Sequence, residues 1–67
     1  GLGVALAVVT AAIEAGELPP RDPETVAIVF LGAMIDAAML IAVADDRAAA
    51  RERSELVVTD LLEGLRR

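Results

Sequence analysis

The sequence predicts an all-α fold, and three observations carry that expectation. Of its 67 residues 57% are hydrophobic, and the apolar mass is mostly Ala, Val, Leu and Ile with a single aromatic, Phe30. There is little of the loop punctuation typical of all-β chains. Finally, each long apolar stretch is bounded by helix stop or start chemistry. A chain this short buries only a modest share of its surface, so it needs a staple or a partner to hold one fold. Cysteine and histidine are both absent, which removes disulfides, thiol redox chemistry and the usual zinc ligand sets. No metal or other cofactor is expected, and oligomerisation is the support that remains.

The first helix is expected over about residues 2–15. It opens at Gly1 straight into the apolar run Leu2 to Ile13, without an initiator Met, a polar cap or a charge before Glu14. That pattern reads as a cut through an element, with residue 1 an interior position of a longer protein. It does not read as a secretory signal, because no basic stretch precedes the run. Gly16 can take the left-handed conformation past a helix end, and Pro19-Pro20 prevents continuation.

The second helix should run from Pro23 to about Ala44. Asp22-Pro23-Glu24 is a start signal: Asp22 can cap free amides, Pro23 suits the first helical position, and Glu24 complements the dipole. At about 1.5 Å per residue this helix is roughly 33 Å long, and between Val26 and Ala44 its only charge is Asp36. Such a rod has to be enclosed on nearly all sides.

The third helix is expected over about residues 47–65, where Asp45-Asp46 breaks the apolar run and caps its start, with Arg66 and Arg67 matching the dipole at its far end. On a helical wheel Ala50, Ser54, Val57, Val58, Leu61, Leu62 and Leu65 share one arc, while Glu52, Arg53, Thr59, Asp60 and Glu63 lie outside it, so one face is expected to be core. Leu56 points away from that arc, which implies a contact on a second side.

Charge and side-chain chemistry exclude whole classes of function. The net charge is −5 and all six basic residues are Arg, so the chain lacks a basic patch that could grip a phosphate backbone and is not expected to bind DNA or RNA itself. The hydroxyls are limited to Thr10, Thr25, Ser54 and Thr59, and there is no Lys to act as a base or Schiff-base former, so the chain is expected not to be an enzyme. The acids Asp45, Asp46, Glu52 and Glu55 have no calcium-loop spacing. Gly1-x-Gly3 has neither the full dinucleotide pattern nor a preceding strand.

What remains are association features. Ala33 with Ala37 on one flank of the second helix, and Ala27, Ala38 and Ala42 on another, let neighbouring backbones approach closely, either as a self-association face or as ordinary seating for the first and third helices. Asp36, a carboxylate in the middle of an apolar helix, must be paired, hydrogen-bonded, protonated or facing a wet cavity, either as an interface or pocket contact or as a structural bond to a neighbouring helix or an edge facing solvent. Phe30 and Met34, a turn apart, could edge an apolar cavity or simply fill a core. An alternative reading is a membrane-embedded helical hairpin, because the second helix has the length to span a bilayer and Asp36 would then be an intramembrane carboxylate. Against it stand the high Ala content, the missing aromatic belt, the sparse basic flanks and the cost of a mid-helix Asp, about 2.5–3.5 kcal/mol on insertion scales. A self-associating helical module without a regulatory role is the third reading.

From Asp22 onward the chain resembles the C-terminal domain of TetR-family transcriptional regulators. The resemblance rests on Asp22-Pro23-Glu24, on Phe30-Leu31-Gly32-Ala33-Met34-Ile35-Asp36-Ala37-Ala38, and on Ile41-Ala42-Val43-Ala44-Asp45-Asp46. It continues through Ala48-Ala49-Ala50-Arg51 and closes on Leu61-Leu62-Glu63-Gly64-Leu65-Arg66. Ile13-Glu14-Ala15-Gly16-Glu17-Leu18 looks like the helix end that precedes this pair. The match depends on order and spacing, without an invariant signature, and Arg47 stands where many relatives carry a proline.

The resemblance implies that the last two helices pair with their twofold mates, so that this three-helix segment completes a four-helix-type dimer bundle. It also implies a cytoplasmic, ligand-responsive repressor whose small apolar effector acts on an N-terminal helix-turn-helix that this chain does not contain. The interface residues expected on this reading are Ala33, Ala37, Leu40, Ile41, Leu56, Val57, Leu61 and Leu65. Phe30, Met34 and Asp36 are the candidates for a pocket edge.

Overall fold

The computed structural model describes all 67 residues, Gly1–Arg67, as three helices and no strands. These are α1 (Leu2–Glu14), α2 (Pro23–Val43) and α3 (Arg47–Leu65), so the chain is all-α. α2 is the central element: α1 packs on one part of it and α3 on another.

Each helix end is fixed by the residues at it. α1 closes in a Schellman motif, with the amide of Gly16 donating to the carbonyl of Ile13 at 3.1 Å and that of Glu17 to Ala12 at 2.9 Å. This geometry needs a left-handed residue, and Gly16 supplies it at φ 78°. α2 begins at Asp22, whose carboxylate accepts from the Thr25 amide at 3.0 Å and from the Thr25 hydroxyl, with Pro23 in the first turn. α3 begins the same way, the Asp46 carboxylate accepting from the Ala49 amide at 3.1 Å. α1, entered at Gly1, has no side-chain cap. The loop before α2 is tied across the molecule, because the Arg21 guanidinium donates to the Leu65 carbonyl. A cation thereby meets the negative end of the α3 dipole.

The caps of α2 and α3 are complete, and no buried side-chain polar atom lacks a partner. The interior is not. Only Ala27 on α2 and Ala50 on α3 are buried. The enclosure expected for α2 does not come from its own chain: α1 and α3 leave most of its 21 residues half-buried or exposed. Nor is the apolar arc of α3 a core within one chain, since Val57, Leu61 and Leu62 on that arc are all exposed. The physical reason is geometric, because two neighbours of this length cannot surround a rod of α2's length.

The shortfall has a size. The chain exposes 4940 Å², whereas a compact folded chain of this mass exposes roughly 4000 Å². Its Cα radius of gyration is 13.2 Å, against about 11 Å for a compact domain of this length. The body is elongated, with extents of 41 × 23 × 14 Å.

Candidate functional site

The uncovered apolar surface is organised along the seam between α2 and α3. Near the Pro23 end of α2 a cleft of about 290 Å³ is lined by Val26, Val29, Phe30 and Ala33 from α2, and by Asp60, Leu61, Gly64 and Leu65 from α3. Next to it lies a cleft of about 330 Å³ walled by Ala33, Asp36, Ala37 and Leu40 on one side and by Arg53, Val57 and Leu61 on the other, with Ser54 and Val58 at its base. The two share Ala33 and Leu61, so they join into one trench running most of the length of the seam. Its walls are apolar and open: Val29 is 66% exposed, Leu40 61% and Val57 59%.

Helical spacing explains the walls. Val29, Ala33, Asp36, Ala37 and Leu40 repeat at intervals of three and four along α2, and Arg53, Val57, Asp60, Leu61 and Gly64 do so along α3, so each set lies on one flank. The small side chains of Ala33, Ala37 and Ser54 let the helices approach, and the larger ones stand up at the margins. A third cleft, about 190 Å³, opens where α1 meets the seam, bounded by Val8, Val9 and Ala12 of α1, Leu18 of the loop, and Val26, Phe30 and Leu65. Phe30 belongs to both this cleft and the trench, so its half-buried ring stands at the junction of the three helices. On the opposite side of the seam Met34, Ala38 and Ile41 face Arg51, Glu55 and Thr59.

Nothing in this arrangement joins a nucleophile to a base, and no group of acidic side chains is placed to hold a metal ion. An apolar trench with charges confined to its margins is suited to receive another apolar surface.

Comparison with protein-family models supplies the deciding observation. Residues 1–65 match the family described as tetracyclin repressor-like, C-terminal domain. The chain belongs to that family. Comparisons with curated proteins and with solved structures give no match. TetR-like C-terminal domains are parts of regulatory proteins.

Within this TetR-like domain the sequence-derived residues are placed unequally. Ala33, Ala37, Leu40, Val57, Leu61 and Leu65 come together along the trench. Ile41 falls on the other side of the seam, and Leu56, 65% exposed, lines no cleft at all. Among the pocket-edge candidates, Phe30 and Asp36 both face the trench, Asp36 from its exposed margin, whereas Met34 is on the far side with Ile41. Sequence reasoning passed over Val29 and Arg53. Arg53 lies outside the apolar arc of α3, yet it precedes Val57 by four residues and Leu61 by eight, the spacing that puts all three on one flank.

Proposed function

We propose that this chain is the dimerisation and effector-response portion of a TetR-like transcriptional regulator, a ligand-responsive repressor in the cytoplasm whose DNA-reading part lies N-terminal to Gly1. In this reading a second copy seats its own α2 and α3 on the trench, completing a four-helix bundle. The carrying observation is the trench itself: an open apolar seam on a chain that exposes about 900 Å² more than a compact fold of its mass. A standard interface buries about 800 Å² per partner, so one such contact accounts for the surplus. Ala33, Ala37, Leu40, Val57, Leu61 and Leu65 form its centre, with Ile41 and Leu56 contributing only where the partner wraps beyond the seam.

The effector, a small apolar molecule, enters at the junction around Phe30, where α1, α2 and α3 all contribute to one wall. Occupying that junction shifts α1 against the other two helices, and so shifts the geometry that the dimer presents to an N-terminal DNA-reading part. Size-exclusion chromatography with light scattering, in buffer without detergent, tests the assembly. A particle of twice the chain mass is expected, and a monomer across the micromolar range overturns the reading.

One observation favours a second reading. α2 is long and apolar enough to cross a membrane, and Asp36 would then be an intramembrane carboxylate. Recovery of the folded chain only in detergent or lipid decides for that alternative.

A further inference from the structure

Asp36 and Arg53 stand on opposite walls of the same 330 Å³ cleft, and each is exposed. Neither takes part in any side-chain hydrogen bond of the chain, all of which involve Arg21, Asp22 or Asp46. They are the only charged residues among those bounding this cleft. We propose that they form two reciprocal ion pairs across the dimer, Asp36 of each copy meeting the partner's Arg53, and that these pairs set the orientation of the two copies and select a second copy of this chain as the occupant of the trench. The proposal rests on the dimer reading above and names the residues that give that interface its specificity.

Symmetry makes the pairing follow from position. An isologous contact has a twofold axis lying in the contact plane, and an axis running along the trench turns the second copy over and exchanges the walls, laying α3 of each copy over α2 of the other. Residues facing each other across the trench at one level are then brought into apposition when the axis passes between them. With the axis along this cleft, Ala33 and Ala37 meet the partner's Val57 and Leu61 at the apolar centre. Asp36 and the partner's Arg53 close the margin on each side. The other in-plane axis, across the trench, would instead lay α2 on α2 and α3 on α3, turning each marginal charge toward a like charge. Each copy carries a net charge of −5, so the approach of two copies is repulsive overall and two local attractions at the seam favour one orientation over others.

Charge reversal with mixing tests this on the whole chain. Asp36→Arg and Arg53→Asp are prepared separately, and self-association is followed by sedimentation beside the unmodified chain, with helix content followed by circular dichroism. Each variant alone presents like charges at both margins, and its self-association is expected to weaken by roughly 100-fold or more. Mixed in equal amounts, the two restore opposite charges at both margins, so a mixed dimer near wild-type affinity is expected, recognised by mass when one variant is isotopically labelled. If a single variant loses its helices, the same mixture still decides, because helix content must return on mixing. Single variants that dimerise like the unmodified chain overturn the proposal, as does a mixture that stays monomeric, which would mean the two charges act within one chain. In both of those cases the unmodified dimer, and the reading built on it, stands. An unmodified chain that is itself monomeric removes both.

Discussion

The ends of the helices and their flanks are finished to different degrees. At most of the ends a device is complete within the chain: Gly16 turns α1 off in a Schellman motif, Asp22 and Asp46 cap α2 and α3, and Arg21 reaches across to the last carbonyl of α3. Along the flanks almost nothing is complete, since only Ala27 and Ala50 are buried and Val29, Leu40, Val57 and Leu61 remain open. The difference teaches where the folding information resides. Local structure is specified by short-range polar contacts the chain makes with itself, whereas its apolar flanks are left open along the α2–α3 seam. An isolated helix of this kind is marginal, and most of its stability comes from covering an apolar face.

The strongest way to break this contrast is at the flank. Leu61 is common to both halves of the trench, so Leu61→Asp puts a charge at the centre of the proposed contact while touching no cap. Its dimer dissociation constant is expected to rise by about 100-fold or more, the range of a central hot-spot residue. Sedimentation equilibrium measures it, and an unchanged oligomer would mean that the contact lies elsewhere on the molecule.

A pair of glycines sharpens the contrast further, because one substitution should have opposite signs at an end and on a flank. Gly16 sits at φ 78°, with open space where a Cβ would go, so Gly16→Ala costs only backbone strain. Set against the entropy gained from a stiffer unfolded chain, the net loss is about 1 kcal/mol, or roughly 4–8 °C in the thermal midpoint. Gly32 is in the interior of α2, also with nothing within 4 Å of the position an added methyl would take. Gly32→Ala should therefore raise stability by about 0.5–1 kcal/mol through helix propensity. Thermal melts at one fixed chain concentration compare the two, and a loss at Gly32 would reveal a partner backbone seated against that flank.

The same division governs what can be read from the sequence. The all-α class and the start and stop devices are legible because each depends on residues within a few positions of one another, as Asp22-Pro23 with Thr25 or Gly16 with Ala12 and Ile13. The trench is legible in part. Ala33, Ala37 and Leu40 share a flank by spacing alone, but which side of the seam a residue falls on is set by how α3 is rotated against α2. That rotation puts Ala50, Ser54 and Val58 inward and leaves Val57 and Leu61 at the margin. It also separates Met34 from Phe30 and Asp36, and Ile41 from Leu40, while Ala37 borders both sides. Arg53 escapes sequence reasoning for a related reason: an arc drawn by hydrophobicity stops at the first charge, whereas an interface is bounded by charges.

The smallest expected effect is at the Asp22 cap, and it has a definite sign with pH. The Thr25 hydroxyl, and after it the Thr25 amide, donate to the ionised carboxylate and hold its pKa below the ordinary value of 3.8. Unfolding removes both donors and returns the carboxyl to that ordinary value. Between the two values the folded chain holds fewer protons than the unfolded one, so the cap's contribution is fully present above about pH 4 and is lost as pH falls through the lowered pKa. The thermal midpoint of the unmodified chain should therefore exceed that of Asp22→Ala at pH 7, and the gap should narrow steadily from about pH 4 downward. Because the carboxylate is open to water its charge is screened, and salt should shrink the gap as well. Thr25→Val removes the hydroxyl but keeps the amide, so it should give a smaller deficit that fades over the same range. A gap between Asp22→Ala and the unmodified chain that stays constant into strong acid would mean that the ionised carboxylate contributes nothing, and that the start of α2 is held by Pro23 and the Arg21 tether instead.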